Sequence, residues 1–94
     1  EVPLLAALSH ARRAQQLVRR KRLEEASADG RKAVELAPDD PRTHFWLGIA
    51  LANLKDTEEA RRELETTIQL SQTNSDYALQ GLGAKAQQEL RRLQ

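Results

Sequence analysis

Apolar residues return at intervals of three and four along most of the chain. Leu4, Ala7, Leu8, Ala11, Ala14 and Val18 keep this spacing, which lines one side of a helix opening near Pro3. A tight basic turn at Lys21 and Arg22 leads into a second predicted helix over residues 23–37, with Ala26, Ala33, Val34 and Leu36 as its stripe. Pro38-Asp39-Asp40-Pro41 then interrupts the pattern. Pro38 cannot continue a helix, Asp40 suits an N-cap and Pro41 suits a first helical turn. A third helix follows over residues 41–54, with Phe45, Leu47, Gly48, Leu51 and Leu54 as candidates for burial. Lys55-Asp56 makes another turn, and Asp56 with Glu59 has the spacing of a capping box. The fourth helix carries Ala60, Leu64, Ile68 and Leu70, and the polar run 71–74 closes it. A fifth, over residues 75–93, places Leu79, Leu82, Ala86, Leu90 and Leu93 on one side and Gln and Arg on the other. That amphipathic pattern reads as a solvating cap.

An offset of 34 residues superimposes the first helix pair on the second. It aligns His10 with His44, Leu17 with Leu51, Lys21 with Lys55, Glu24-Glu25-Ala26 with Glu58-Glu59-Ala60, and Leu36 with Leu70. Conservative pairs fill in between: Ala14 with Gly48, Asp29 with Glu63, Val34 with Ile68. A period of this length belongs to a small set of helical repeats.

Composition agrees with an all-α chain. Leu and Ala number 15 and 14, against three Val and two Ile, and the first pair favours helix while a sheet wants the second. The chain has no Cys, which excludes a disulfide frame, a thiolate nucleophile and a Cys-based zinc site. No apolar run approaches the roughly 20 residues of a membrane span. The stretch from Val2 to Leu8 is too short for a signal peptide and lacks a basic leader. The first residue is Glu1 and not Met, so a trimmed segment is expected; the compartment is not fixed, with a cytoplasmic setting weakly favoured.

Charge is uneven although the net is only +1. Residues 1–22 hold six bases and one acid, and residues 23–41 hold two bases and six acids. The basic set is Arg12, Arg13, Arg19, Arg20, Lys21 and Arg22. Such a set could meet phosphate, but it lacks interleaved aromatics for base stacking, and pairing with the acidic segment is the simpler expectation.

Catalytic chemistry has little support. His10 and His44 occupy equivalent places in neighbouring hairpins, yet first helices about 8–10 Å apart are too distant for casual metal sharing. Gly81-Leu82-Gly83 follows no strand and precedes no Lys-Ser/Thr. Glu24-Glu25 and Glu58-Glu59 fall at helix starts, where carboxylates meet the positive dipole end. No nucleophile–base pairing can be read.

With Leu47-Gly48, Leu51, Ala60 and Leu64 in one period, and Ala14, Leu17, Ala26, Ala33 and the closing Pro38 in the one before, the chain resembles the tetratricopeptide repeat family. Departures are present: His44 stands where Trp is common, Arg13 where Leu is usual, Gly30 where a large residue is usual, and Thr57 and Gln72 replace an aromatic and the closing Pro. The resemblance implies an α-α superhelix of antiparallel hairpins in a single domain. A degenerate repeat spans residues 7–40, a second repeat 41–74, and a capping helix 75–94.

The resemblance also implies a non-catalytic scaffold or adaptor, with no cofactor or small-molecule substrate, that binds a peptide or helix of a partner protein in its concave groove. Alignment to the family motif assigns that groove to Arg42, Phe45, Trp46, Ile49 and Asn53 in repeat two. Leu8, Ala11, Arg12, Gln15 and Arg19 are the equivalents in repeat one, and Tyr77, Gln80 and Ala84 in the fifth helix. The carboxylate clamp of the family's chaperone-tail binders needs Lys and Asn one helical turn apart. Those places hold Ala11 with Gln15 and Phe45 with Ile49, so that ligand is not implied. Phe45 and Trp46 are anchor candidates, with packing inside the domain as the competing role. The alternatives are self-association through the same apolar groove and nucleic-acid binding by the basic first helix.

Overall fold

Proline and aspartate mark the helix starts where the sequence places them. The computed structural model describes residues 3–93; Glu1, Val2 and Gln94 lie outside them, so the reading of Val2 to Leu8 has no structural counterpart at Val2. Five helices follow in order: α1 (Pro3–Arg19), α2 (Leu23–Leu36), α3 (Pro41–Asn53), α4 (Thr57–Gln72) and α5 (Tyr77–Arg92). No strand occurs among the described residues.

The two turns inside the hairpins are copies of each other. The Arg22 N–H donates to Leu17 O at 2.9 Å and the Asp56 N–H to Leu51 O at 3.0 Å. Lys21 and Lys55 take φ values of 62° and 71°, the left-handed conformation that closes a helix in this motif and that Gly usually supplies. Between the hairpins, Asp40 caps α3 by accepting from the Arg42 N–H at 2.9 Å, and Pro41 opens the helix. Thr43 is fully buried, and its hydroxyl hydrogen is shared between Ala37 O at 3.0 Å and Asp40 O at 2.8 Å, which ties the loop to the helix it starts. Asp76 caps α5 in the same way, by accepting from the Ala78 N–H.

One expected cap and one expected boundary differ. Asp56 stands at the N-cap of α4 but accepts no side-chain capping bond, so the capping box does not form. Ser71 and Gln72, read as part of a polar break, belong to α4; the Ser71 hydroxyl donates to Ile68 O and is buried where α5 crosses.

Antiparallel hairpins α1–α2 and α3–α4 stack side by side, and α5 packs on the open side of the second. Each hairpin closes on small residues. A Cβ on Gly48 would lie 2.9 Å from Leu64 Cγ, so α3 and α4 meet there at close range. Gly30 serves a contact between hairpins: a Cβ on it would lie 2.9 Å from the Leu47 backbone. The core runs through the stack as three clusters. Leu17, Ala26 and Ala50 join α1, α2 and α3; Leu47, Leu51 and Ala60 join α3 and α4; Phe45, Leu64 and Ala86 bring in α5. Leu4, expected on the buried stripe, is 44% exposed, because among the described residues no helix covers that side of α1.

Candidate partner-binding face

The first helices of successive hairpins lie next to one another, α1 against α3 and α3 against α5. Positions 34 apart are therefore equivalent places on neighbouring helices: Arg12 and Trp46, Gln15 and Ile49, Arg19 and Asn53. These three helices form the face to which the groove residues were assigned.

The structure divides that set. Arg12 and Arg19 are exposed on α1, and Gln15 is half-buried between them. Trp46 and Ile49 are half-buried on α3, packed against the cluster of Phe45, Leu64 and Ala86. Tyr77 is 88% exposed at the start of α5. Phe45 and Ala11 leave the set. Phe45 is 6% exposed and Ala11 3%, so neither offers surface to a partner. The Phe45 ring meets Trp46 edge to face, centroids 5.0 Å apart; it forms the bed on which Trp46 rests.

Three polar members of the set have internal partners. Arg42 donates twice to Asp40, from Nε at 2.9 Å and Nη2 at 2.6 Å. Burial pushes the Asp40 carboxyl up, but the Arg42 side chain and backbone N–H overcome it and hold the carboxyl below the usual carboxylate range. Arg42 is thus engaged by its own N-cap. Asn53 donates to Ile49 O at 2.8 Å. Gln80 donates to Asn74 O at 2.7 Å and lines a different concavity.

That concavity, a cleft of about 740 Å³, lies between α4 and α5 and includes Ile68, Ser71, Gln80, Gly83, Ala84 and Gln87. Gln80 and Ala84 stand 35 residues after Phe45 and Ile49, the residues through which α3 packs on its next neighbour. Gln and Ala at these places leave this side of α5 exposed and less apolar than the matching side of α3.

The histidine environment was missed from sequence. Each histidine meets an acid 19 residues on, across its own hairpin: His10 Nδ1 lies 2.9 Å from Asp29 Oδ1, and His44 Nδ1 lies 2.7 Å from Glu63 Oε1. The register carries the signal, since it aligns both His10 with His44 and Asp29 with Glu63. His44 also places Nε2 2.7 Å from Pro38 O. The Pro38 carbonyl can only accept, so Nε2 carries hydrogen, and the Glu63 carboxylate favours a second hydrogen on Nδ1. Burial pulls the imidazolium pKa down, but the Glu63 hydrogen bond, the Pro38 carbonyl and the charges of Glu63 and Asp39 outweigh it and raise the value above 6.5. These are structural clamps: among the described residues no group of three or more His, Cys, Asp or Glu could hold a metal ion.

The basic segment behaves partly as expected. Arg13 pairs with Asp29 and Arg22 with Glu25, both acids of the following segment. No helix among the described residues is long and apolar enough to cross a membrane.

A family model described as tetratricopeptide repeat matches residues 17–87. No curated protein matches the chain.

Proposed function

Since the chain belongs to the tetratricopeptide repeat family, whose repeats generally mediate protein–protein interaction, we propose that it is a non-catalytic interaction module that holds a segment of a partner protein across α1, α3 and α5. The observation behind this reading is the half-buried pair Trp46 and Ile49 at the centre of that face. Phe45 supports them from below, so they present apolar surface on a rigid base. Interface hot spots favour large side chains of this kind held by firm packing and ringed by polar groups; Arg12, Gln15 and Asn53 supply the ring. A second copy of the chain is a competing occupant, and sedimentation over a dilution series separates it from a different partner.

Site-specific photo-crosslinking tests the assignment. A photoreactive residue at Gln15 or Asn53, incubated with cell extract, should capture a partner that the same residue at Lys32, exposed on α2, does not. Capture from Lys32 alone would move the interaction to the second helices and defeat the proposal.

A further inference from the structure

We infer that the partner segment is acidic at one end and apolar at the other, with its carboxylates over α1 and its apolar side chain over Trp46 and Ile49. This rests on the interaction reading above and gives the face a direction.

Three arginines are already spent on acids of the chain itself. Arg13 and Arg22 are paired with Asp29 and Glu25, and Arg42 is held by Asp40. Arg12 and Arg19 are exposed and join no ion pair among the described residues. They stand seven residues apart on one side of α1, two turns along the helix. No acid occupies the positions that make up this face on α1, α3 and α5, which read Leu8, Gln15, Trp46, Ile49, Asn53 and Tyr77 besides the arginines.

Crossing the helices, the face therefore changes character in one sense only. α1 offers two guanidinium groups without counter-charge, α3 offers indole and aliphatic surface, and α5 offers uncharged Tyr77. Guanidinium groups pair with carboxylates through two parallel hydrogen bonds, so acids match the α1 edge. A large apolar side chain matches the centre. A uniformly acidic segment would leave Trp46 and Ile49 uncovered, and a uniformly apolar one would cover arginines at a desolvation cost. Single-stranded nucleic acid fits less well, because α1 carries no aromatic on which a base could stack.

A display library of random peptides about twelve residues long, selected on the chain, tests the inference. Trp46 is the only tryptophan, so its fluorescence reports occupation of the face directly. Enriched peptides should carry Asp or Glu beside a large apolar residue and should shift Trp46 emission. The double variant Arg12→Glu/Arg19→Glu should bind them at least about tenfold more weakly; its circular dichroism should match the parent, since both side chains are exposed. Peptides that shift Trp46 but bind the double variant equally well would overturn the directional inference and leave the interaction reading standing. Failure of every selected peptide to perturb Trp46 would remove both. Binding of a single-stranded RNA oligonucleotide that the double variant loses, with no acidic bias among peptides, would reassign the arginines to phosphate and overturn the inference.

Discussion

The first hairpin buries Ala7, Ala11, Ala14, Leu17, Ala26 and Ala33, whereas the second buries Phe45, Leu47, Ala50, Leu51, Ala60 and Leu64. The turns of the two are superimposable in their hydrogen bonding, and both carry a histidine–acid bridge at the same offset. What differs is position in the stack. The α1–α2 pair is covered on one side, so small residues suffice to bring its helices together. The α3–α4 pair is covered on both, by the first hairpin and by α5, and needs large side chains to fill the space between neighbours. The bridges differ in the same way. His10 retains a side-chain exposure of 33% and bonds Asp29 alone; His44 retains 11% and bonds both Glu63 and the Pro38 carbonyl. A repeated residue thus inherits its geometry from the period and its energetic weight from its neighbours.

The largest test of that contrast is to remove each histidine. His44→Ala should cost about 2 kcal/mol, because it strands a half-buried carboxylate and a carbonyl, whereas His10→Ala should cost about 0.5 kcal/mol, as a part-exposed pair does. Urea denaturation measures both, and equal losses would break the contrast. The same residue predicts a pH dependence. Its pKa is raised on folding, so its stabilisation is fully present below the unfolded value and is lost as pH climbs through the folded value. The melting temperature should fall as the solution is taken from mildly acid to mildly alkaline, and His44→Gln should flatten that part of the slope.

A smaller effect separates the two buried glycines. An added methyl at Gly30 meets the Leu47 backbone, which cannot yield, while at Gly48 it meets the Leu64 side chain. Gly30→Ala should cost about 1–2 kcal/mol by overpacking even after the helix-propensity gain, and Gly48→Ala should cost less. Thermal melts of the two variants decide the order; a costlier Gly48→Ala would show the contact within the hairpin to be the stiffer one.

Smallest is the change at the left-handed lysines. Lys21→Gly and Lys55→Gly should each stabilise by about 0.5–1 kcal/mol, by relieving the Cβ clash of that conformation. The gains should match, because the turn does not depend on what covers the hairpin. Unequal gains would show that stack position reaches even the turns.

Helix count, the breaks at Lys21, Pro38 and Lys55, and the N-cap at Asp40 were legible because each is a local property of a few residues. Burial was legible only by face. Periodicity put Leu4 and Phe45 on apolar sides, yet Leu4 is exposed for want of a neighbour and Phe45 is buried because α5 covers it. Phe45 and Ala11, both assigned to the groove, are buried by such neighbours. The pairing of Arg42 with Asp40, two residues before it, is a matter of side-chain conformation that the sequence does not display. Ser71 was read as loop because polarity was the only cue, although a Ser hydroxyl satisfied by the preceding helical turn is compatible with burial.

The central helix α3 touches α1, α2, α4 and α5, and eight of its thirteen residues are buried. Longer solenoids can fray from their ends one unit at a time because each unit meets only its neighbours. Here every other helix leans on the same rod, so loss of α3 would unmake all the contacts between hairpins at once. Its inner amides should exchange with solvent deuterium only through global opening, and the molecule should melt as a single cooperative unit.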